Sequence, residues 1–368
     1  MKILYAGNMA NVGYYHVKQL RESDTDIDLL MEKNPKITAD PLIRDPQLTS
    51  YPQWIRFYNK QSSLWKFQVL NIMKESKYDL IHAHVELPIF ASFSGKSFIA
   101  QTLGSDLNEM AFTNSLRGVL LRRAYRKAKV VLFSTPDQPP LLKQLKIKNT
   151  IFLPLISDLS FFKPQKIDDE KFRNKLVIFH PASHIWNIKG NDIMIKAFAR
   201  FSKTCINAIL IMVDWGADKE KSKELVKSLG IEDKVLILNQ LGAKELLYYY
   251  NICDIVADQF IQPGIGAIGM EALICEKPLI IKCNENAYQG LHPEPIPLLD
   301  ASTIDEIYEK LEYLKDEKKR LQLAKNGKVW ADRYLSPVAI ARKCIMIYES
   351  VLNGDKIKVI RENISKIK

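Results

Sequence analysis

No apolar stretch in the 368-residue sequence approaches the ~20 residues that cross a bilayer as a helix; the longest, around Ala208 to Val213, is strand-sized. The N-terminal MKILYAGNMANVGYY has one basic residue and few apolar ones before Asn8, so it lacks the apolar segment of a signal peptide. The five cysteines (Cys205, Cys253, Cys275, Cys283 and Cys344) all lie in the second half and form no CxxC pair and no Cys/His cluster of metal-ligand spacing. They fit buried thiols in a reducing compartment, and the expectation is a cytoplasmic protein. No repeat of 20–50 residues and no low-complexity segment is present, which sets aside solenoids and tails.

What is present is an ordinary globular composition, 47% apolar, 26% charged and 10% aromatic. The length is about twice that of a typical domain, so two domains are expected. The net charge of +11 is uneven: to Pro164 there are 22 Lys/Arg against 14 Asp/Glu (+8), and beyond it 31 against 28 (+3). That asymmetry implies an anionic partner for the first half, and charge alone does not choose among nucleic acid, membrane and phosphate-bearing substrate.

Short β-like runs alternate with helical patterns: KILYA, DIDLL, DLIHA, SFIAQT, KVVLFS and IFLP, then, after PLISDLSFFKP at 154–164, KLVIFHP, AILIMVD, KVLILN, DIVAD and KPLIIKC. Such alternation predicts βαβ units and two parallel sheets. Helical periodicity marks DIMIKAFARF at 192–201, TIDEIYEKLEYLKDEKKRLQLAKN at 303–326 and SPVAIARKCIMIYESVL at 336–352, the last with Ser336 as N-cap and Pro337 in the first turn.

The most informative stretch is QPGIGAIGMEALICEKPLII, residues 262–281. Gly264, Gly266 and Gly269 follow a strand and open a helix, which places bare backbone N–H groups and the positive helix end where an anion can sit. Close helix–sheet packing selects glycine in the same way. The acidic DTDID at 24–28 is the kind of cluster that holds a divalent cation. It falls at the N-terminal edge of the first sheet, whereas ligands collect at the carboxyl ends of strands, so a solvated turn is the expectation. RGVLLRRAYRKAK at 117–129 has helical periodicity with Arg117, Arg122, Arg123 and Arg126 on it. It reads either as a core-packing helix with a basic outer face or as an interfacial helix drawn to anionic headgroups. No nucleic-acid reader motif accompanies it, and no nucleic-acid partner is expected.

Residues 207–281 resemble, element by element, the C-terminal domain of the group-1 family of retaining glycosyltransferases, whose turn carries E-x7-E and ends in GFGxxxxEAxAxGxPVI. HPASHIWNIKGNDIMIKAF at 180–198, YDLIHAHVELP at 78–88, IAQTLGSDLNEM at 99–110 and LPLISDLSFFKP at 153–164 are similar to further signatures of that family. The resemblance implies a GT-B fold: two doubly wound, Rossmann-like α/β domains facing across a cleft. They would cover residues 1–163 on the acceptor side and 164–335 on the nucleotide-sugar side, with 336–368 returning to the first.

By the same resemblance Glu271 holds the nucleotide ribose and Lys189, before Gly190, brings a cation to the diphosphate. Gly13, His184, Pro263, Gly264, Ile265, Gly266, Ala267 and Ile268 join the donor contacts, and Asp106 and His84 are the catalytic candidates. His82 and His84 alternate along one strand, so one is expected in the core and one at the strand end. Asp106, after Gly104 and Ser105, also reads as a helix cap. Three positions depart from the pattern. Pro263 stands where the first Glu belongs, Leu103 replaces a His, and His184 and Trp186 occupy the neighbourhood of a missing Arg.

The implied activity is transfer of a hexose from a UDP- or GDP-sugar to a saccharide or lipid-linked acceptor in glycan or cell-envelope biosynthesis. Retention of configuration is implied, with no metal, no cofactor and an unassigned nucleophile. Peripheral contact with the inner face of the membrane is a further expectation. The departures keep open a non-catalytic partner subunit or a sugar-nucleotide epimerase on the same fold.

Overall fold

A computed structural model describes the chain except residues 46, 157–160, 285–287, 289–290, 292–293 and 366–368, and the side chain of 365. The chain divides into two compact units, Met1–Asp158 with Ser336–Lys368, and Leu159–Leu335.

The first unit is built on a seven-stranded sheet, β1 (Lys2–Ala6), β2 (Asp26–Glu32), β3 (Ile55–Tyr58), β4 (Leu80–His84), β5 (Ser97–Gln101), β6 (Val130–Phe133) and β7 (Thr150–Phe152). Its spatial order is β3-β2-β1-β4-β5-β6-β7, every pair parallel. The second holds β8 (Leu176–His180), β9 (Ala208–Val213), β10 (Val235–Leu238), β11 (Ile255–Ala257), β12 (Leu279–Ile281) and β13 (Leu299–Asp300). They run β10-β9-β8-β11-β12-β13, again all parallel. These are the two parallel α/β domains the alternation predicts.

Strands such as β4 and β6 are buried along their whole length because helices cover both faces of a parallel sheet; β6 is an unbroken apolar run for that reason, while β4 carries His82 and His84 into the core. The helix Pro337–Leu352 buries Ile340, Ala341, Cys344, Ile347, Tyr348 and Val351, a stripe of helical spacing, in the core around β1 and β4. The last segment is thereby part of the first unit. All five cysteines are buried. No helix among the described residues is long and apolar enough to cross a membrane.

Charge divides more sharply along these units than along the sequence halves. Residues 1–158 and 336–368 hold 28 Lys/Arg against 17 Asp/Glu, a net +11, and residues 159–335 hold 25 against 25, a net of zero.

Three expectations change. β3 (IRFY) and β13 (LD) were not legible as strands. The stretch 303–326 is two helices, Ile304–Tyr313 and Glu317–Tyr334, because Asp316 accepts from the backbone N–H of Lys318 at 2.9 Å and starts a new helix. The acidic DTDID run, expected as a solvated turn, enters β2 at Asp26, and its carboxylates pair within the unit. Asp26 takes a hydrogen bond from Lys2 Nζ at 2.9 Å and Asp28 one from the Tyr78 hydroxyl at 2.7 Å.

Candidate functional site

In an open parallel sheet the crevice lies where strand order reverses, at the carboxyl ends of the strands. In the second unit that place is between β8 and β11. Beyond β8 the chain forms a short helix, Trp186–Lys189, and Gly190, at φ 69°, turns it into the helix Asn191–Thr204. A Cβ on residue 190 would stand 3.1 Å from the Phe260 Cβ, so conformation and close approach both call for glycine.

Beyond β11 the segment 258–266 is stitched to its neighbours by backbone hydrogen bonds. Phe260 N–H donates to the Lys189 carbonyl at 2.9 Å, Gln262 N–H to Ile188 at 3.0 Å, and Gly264 N–H to Lys282 at 3.0 Å. Gly264, at φ 119°, then delivers the chain to the helix Ala267–Ile274, whose N-cap Gly266 provides no side-chain cap. Ala267 is exposed, and Pro263, Ile265, Gly266 and Ile268 are half-buried. The start of this helix therefore offers backbone donors and the positive end of its dipole to an anion.

Four polar side chains gather around that helix start. Lys189, half-buried, donates its ammonium hydrogen bond to Gln259 Oε1, and Gln259 Nε2 donates to the Gly264 carbonyl at 2.9 Å. Asp258, at the end of β11, is buried, and its Oδ1 has no hydrogen-bond partner. Burial pushes its carboxyl up to about 6, against the pull of the Lys189 charge. Its other oxygen lies 3.8 Å from the place a Cβ on residue 269 would take, which sets it beneath the first turn of the helix. Glu271 is 5% exposed and accepts the Tyr250 hydroxyl at 2.8 Å.

The corresponding reversal in the first unit lies between β1 and β4. Gly7 sits there at φ 114°, and a Cβ on it would fall 1.9 Å from the His84 ring. A Cβ on Gly13, in the first turn of the helix Val12–Glu22, would fall 2.0 Å from the Gly7 carbonyl oxygen. Glycines thus let strand, helix and imidazole close on one point. Around it His16, His82, His84, Tyr5 and Tyr348 are wholly buried, with ring centroids 4.4 Å apart for Tyr5–His82 and 5.6 Å for Tyr5–His84. His82 Nδ1 pairs with the Tyr348 hydroxyl at 2.7 Å, and Tyr5 donates to Gln101 at 2.8 Å. Burial holds the histidines neutral, with His16 lowered to about 3 and His84 to about 4.

Comparison with known proteins agrees with this arrangement unit by unit. Residues 162–330 match the family described as glycosyl transferases group 1, and residues 2–135 match glycosyl transferase 4-like, so the two descriptions fall on the two units. The two matches together indicate a glycosyltransferase of group 1.

Among curated relatives, the N-acetyl-alpha-D-glucosaminyl L-malate synthase of Bacillus anthracis is 22% identical over 313 residues, 78% of this chain and 79% of that protein. An uncharacterized glycosyltransferase of Haemophilus influenzae is 24% identical over 167 residues, 45% of this chain and only 46% of its own length. Among solved structures, Anabaena Alr3699/HepE in complex with UDP and glucose superposes with a TM-score of 0.76 at 18% identity, covering 95% of this chain and 100% of that one. The shared architecture is the GT-B fold.

Within this glycosyltransferase, Lys189, Gly264, Gly266, Ala267 and Glu271 sit on elements that meet at one sheet edge. Other candidates are committed elsewhere. His184 is buried with its Nδ1 on the Ser222 hydroxyl at 2.7 Å, a hydroxyl that also takes the Trp186 indole N–H at 2.9 Å. It is a neutral ring in a polar knot with the helix Lys219–Ser228, its protonation lowered mainly by burial. Asp106 is buried, and both its oxygens are used. Oδ1 accepts from Leu103 and Gly104 N–H at 3.0 and 2.8 Å, and Oδ2 from the Tyr125 hydroxyl at 2.8 Å. It is not the helix cap its position suggests: Gly104 is the N-cap of the helix Ser105–Asn108, and Asp106, inside that helix, reaches back to the N–H groups of Leu103 and Gly104 before it. His82 and His84 are both in the core rather than divided between core and strand end.

The helix Leu116–Lys127 divides its arginines between two tasks. Arg122 donates to the Ala111 and Thr113 carbonyls at 2.7 and 2.8 Å, Arg117 is hydrogen-bonded to Glu86, and Arg126 reaches the Leu145 carbonyl at 3.4 Å. Arg123 and Lys127 are exposed and in no ion pair among the described residues. Asp258, Gln259 and Tyr250 were missed by sequence reasoning. The one signal for the first two was a polar pair directly after the apolar IVA and before the glycine turn.

Proposed function

We propose that this glycosyltransferase binds a nucleotide-sugar donor at the carboxyl edge of its second sheet and transfers the sugar to a saccharide or lipid-linked acceptor in glycan or cell-envelope synthesis. The observation that carries the reading is the convergence of a cation, Lys189, with an uncapped helix start, Gly266–Ala267, one turn from a buried carboxylate, Glu271. A diphosphate matches the first two and ribose hydroxyls the third.

Departure of the nucleoside diphosphate places new negative charge on its phosphates. Lys189 and the helix dipole would stabilise that charge more in the transition state than in the bound donor. This supports a metal-independent transfer of the retaining hexosyl type. Pro263 in place of the first Glu leaves the donor sugar to be held by other groups. UDP and glucose are held by the Anabaena protein of the same fold, which makes UDP-glucose the first donor to try.

The acceptor side belongs to the first unit, with its net +11. On the helix Leu116–Lys127 the outer face presents Leu116 and Val119, 75% and 46% exposed, followed by Arg123 and Lys127. An apolar edge backed by cations suits peripheral, salt-sensitive attachment to an anionic membrane face.

A panel of UDP-, GDP- and other sugar nucleotides scored by thermal shift tests the donor reading, since a ligand at ~100 times its dissociation constant stabilises by about 2.7 kcal/mol. Failure of every donor to stabilise, or stabilisation without turnover on any acceptor, would contradict it, the latter pointing to a partner subunit. An isomerised free donor would reveal an epimerase.

A further inference from the structure

The group that joins the cation to the glycine turn lies in neither. Gln259 is buried, and its amide faces Lys189 on one side and Gly264 on the other. Only one orientation of that amide works: turned over, it would set its NH2 against the ammonium and its oxygen against the carbonyl. Its own backbone is fixed, the Gln259 carbonyl accepting from Lys282 N–H at 2.8 Å. A lysine side chain has many rotamers, and a buried acceptor on a rigid segment removes part of that freedom before any ligand arrives.

The acceptor is also neutral. Among the described residues no carboxylate stands within ion-pair distance of Lys189, so its hydrogen bond is satisfied while its charge stays available to an anion. A glutamate at 259 would accept the same hydrogen bond, but it would cancel that charge and could not donate to Gly264. It would also set a second carboxylate beside buried Asp258.

We propose that Gln259 is a positioning residue for donor binding, holding the Lys189 ammonium and the Gly264 turn as one preset receptor for the diphosphate. This rests on the donor reading above and names the device that makes the site ready. UDP and GDP are titrated into the intact chain beside uridine and guanosine, which lack the phosphates, with wild type, Gln259→Glu, Gln259→Met and Lys189→Met compared.

The expected result is that Gln259→Glu weakens the preferred diphosphate about tenfold or more, and Gln259→Met by about three- to tenfold, while nucleoside binding is unchanged in both. Nucleoside binding serves as the control that a merely structural defect would not spare. Should Gln259→Met fold poorly, Gln259→Glu, which keeps shape and the acceptor atom, carries the test. Diphosphate affinity unchanged in both Gln259 variants while Lys189→Met loses it would overturn this inference alone. Unchanged affinity in Lys189→Met as well would remove the donor reading with it, whereas nucleoside and diphosphate weakening together in the Gln259 variants would mark a merely structural defect and overturn this inference alone.

Discussion

The two units share a doubly wound parallel sheet and put glycines where strand order reverses, yet they treat that place in opposite ways. In the first unit Gly7 and Gly13 let His84 close onto the backbone, and neutral buried rings fill the space. In the second, Gly190 and Gly264 present Lys189 and an uncapped helix start, with Asp258 and Glu271 behind them. The same glycine chemistry closes one reversal point and equips the other. Net charge follows suit, with +11 on the unit whose reversal point is closed and zero on the unit whose reversal point is charged. Charge on the first unit is thus a property of its surface, and charge in the second is a property of its site.

Acid should weaken the first unit, with three buried histidines, more than the second, where His180, lowered to about 3, and His184 are likewise held neutral by burial. His16, His82 and His84 have folded-state pKa values below the unfolded value of 6.5. The unfolded chain therefore binds more protons, and the stability they contribute is complete above pH 6.5 and lost as pH falls toward 4. At pH 5.5 each costs about 1.4 kcal/mol, about 4 kcal/mol for the three. Denaturant unfolding followed by a probe in each unit should show the first weakening sooner. Equal acid sensitivity in a His16→Gln variant would contradict this account of the cluster.

Glycine substitution probes the same contrast. Gly7→Ala must both adopt φ 114° and displace the His84 ring, so it should destabilise the first unit by about 3 kcal/mol or more. Gly266→Ala has open space, with nothing within 4 Å, and should change stability by under about 1 kcal/mol while weakening donor binding. Calorimetry with and without nucleotide distinguishes these, and a stable Gly7→Ala protein would show that the closed reversal point is not closed.

How much of this was legible in the sequence depended on distance along the chain. Parallel strands buried on both faces, such as Leu4–Ala6 and Val130–Phe133, are apolar without interruption and were readable. IRFY and LD are short and partly polar, and pairing to β2 and β12 makes them strands. The glycine turn was readable because backbone freedom marks itself locally, and Lys189 because the Lys189-Gly190 pair resembles that of a known family. Gln259 was not, because its partner lies 70 residues away, and His184 and Asp106 were assigned to chemistry because Ser222 and Tyr125 cannot be seen beside them in one dimension.

Two smaller effects sharpen the division. Glu271→Gln should weaken nucleotide binding by about 2 kcal/mol with the fold intact, since a charged hydrogen bond to a hydroxyl is replaced by a neutral one. Undiminished nucleotide affinity would refute its ribose role. Arg123→Gln with Lys127→Gln should lower affinity for phosphatidylglycerol vesicles by about 1 kcal/mol per charge at low salt and leave nucleotide binding alone. Identical cosedimentation of mutant and wild type would make that face merely solvated.

The central claim, that Lys189 and the Gly266–Ala267 helix start receive the donor diphosphate, is tested most directly by isothermal titration of UDP and GDP in EDTA. The account predicts one nucleotide bound per chain with affinity unaffected by EDTA, and at least tenfold weaker binding to Lys189→Met. Equal affinity in that variant, or binding that appears only when magnesium is restored, would contradict it.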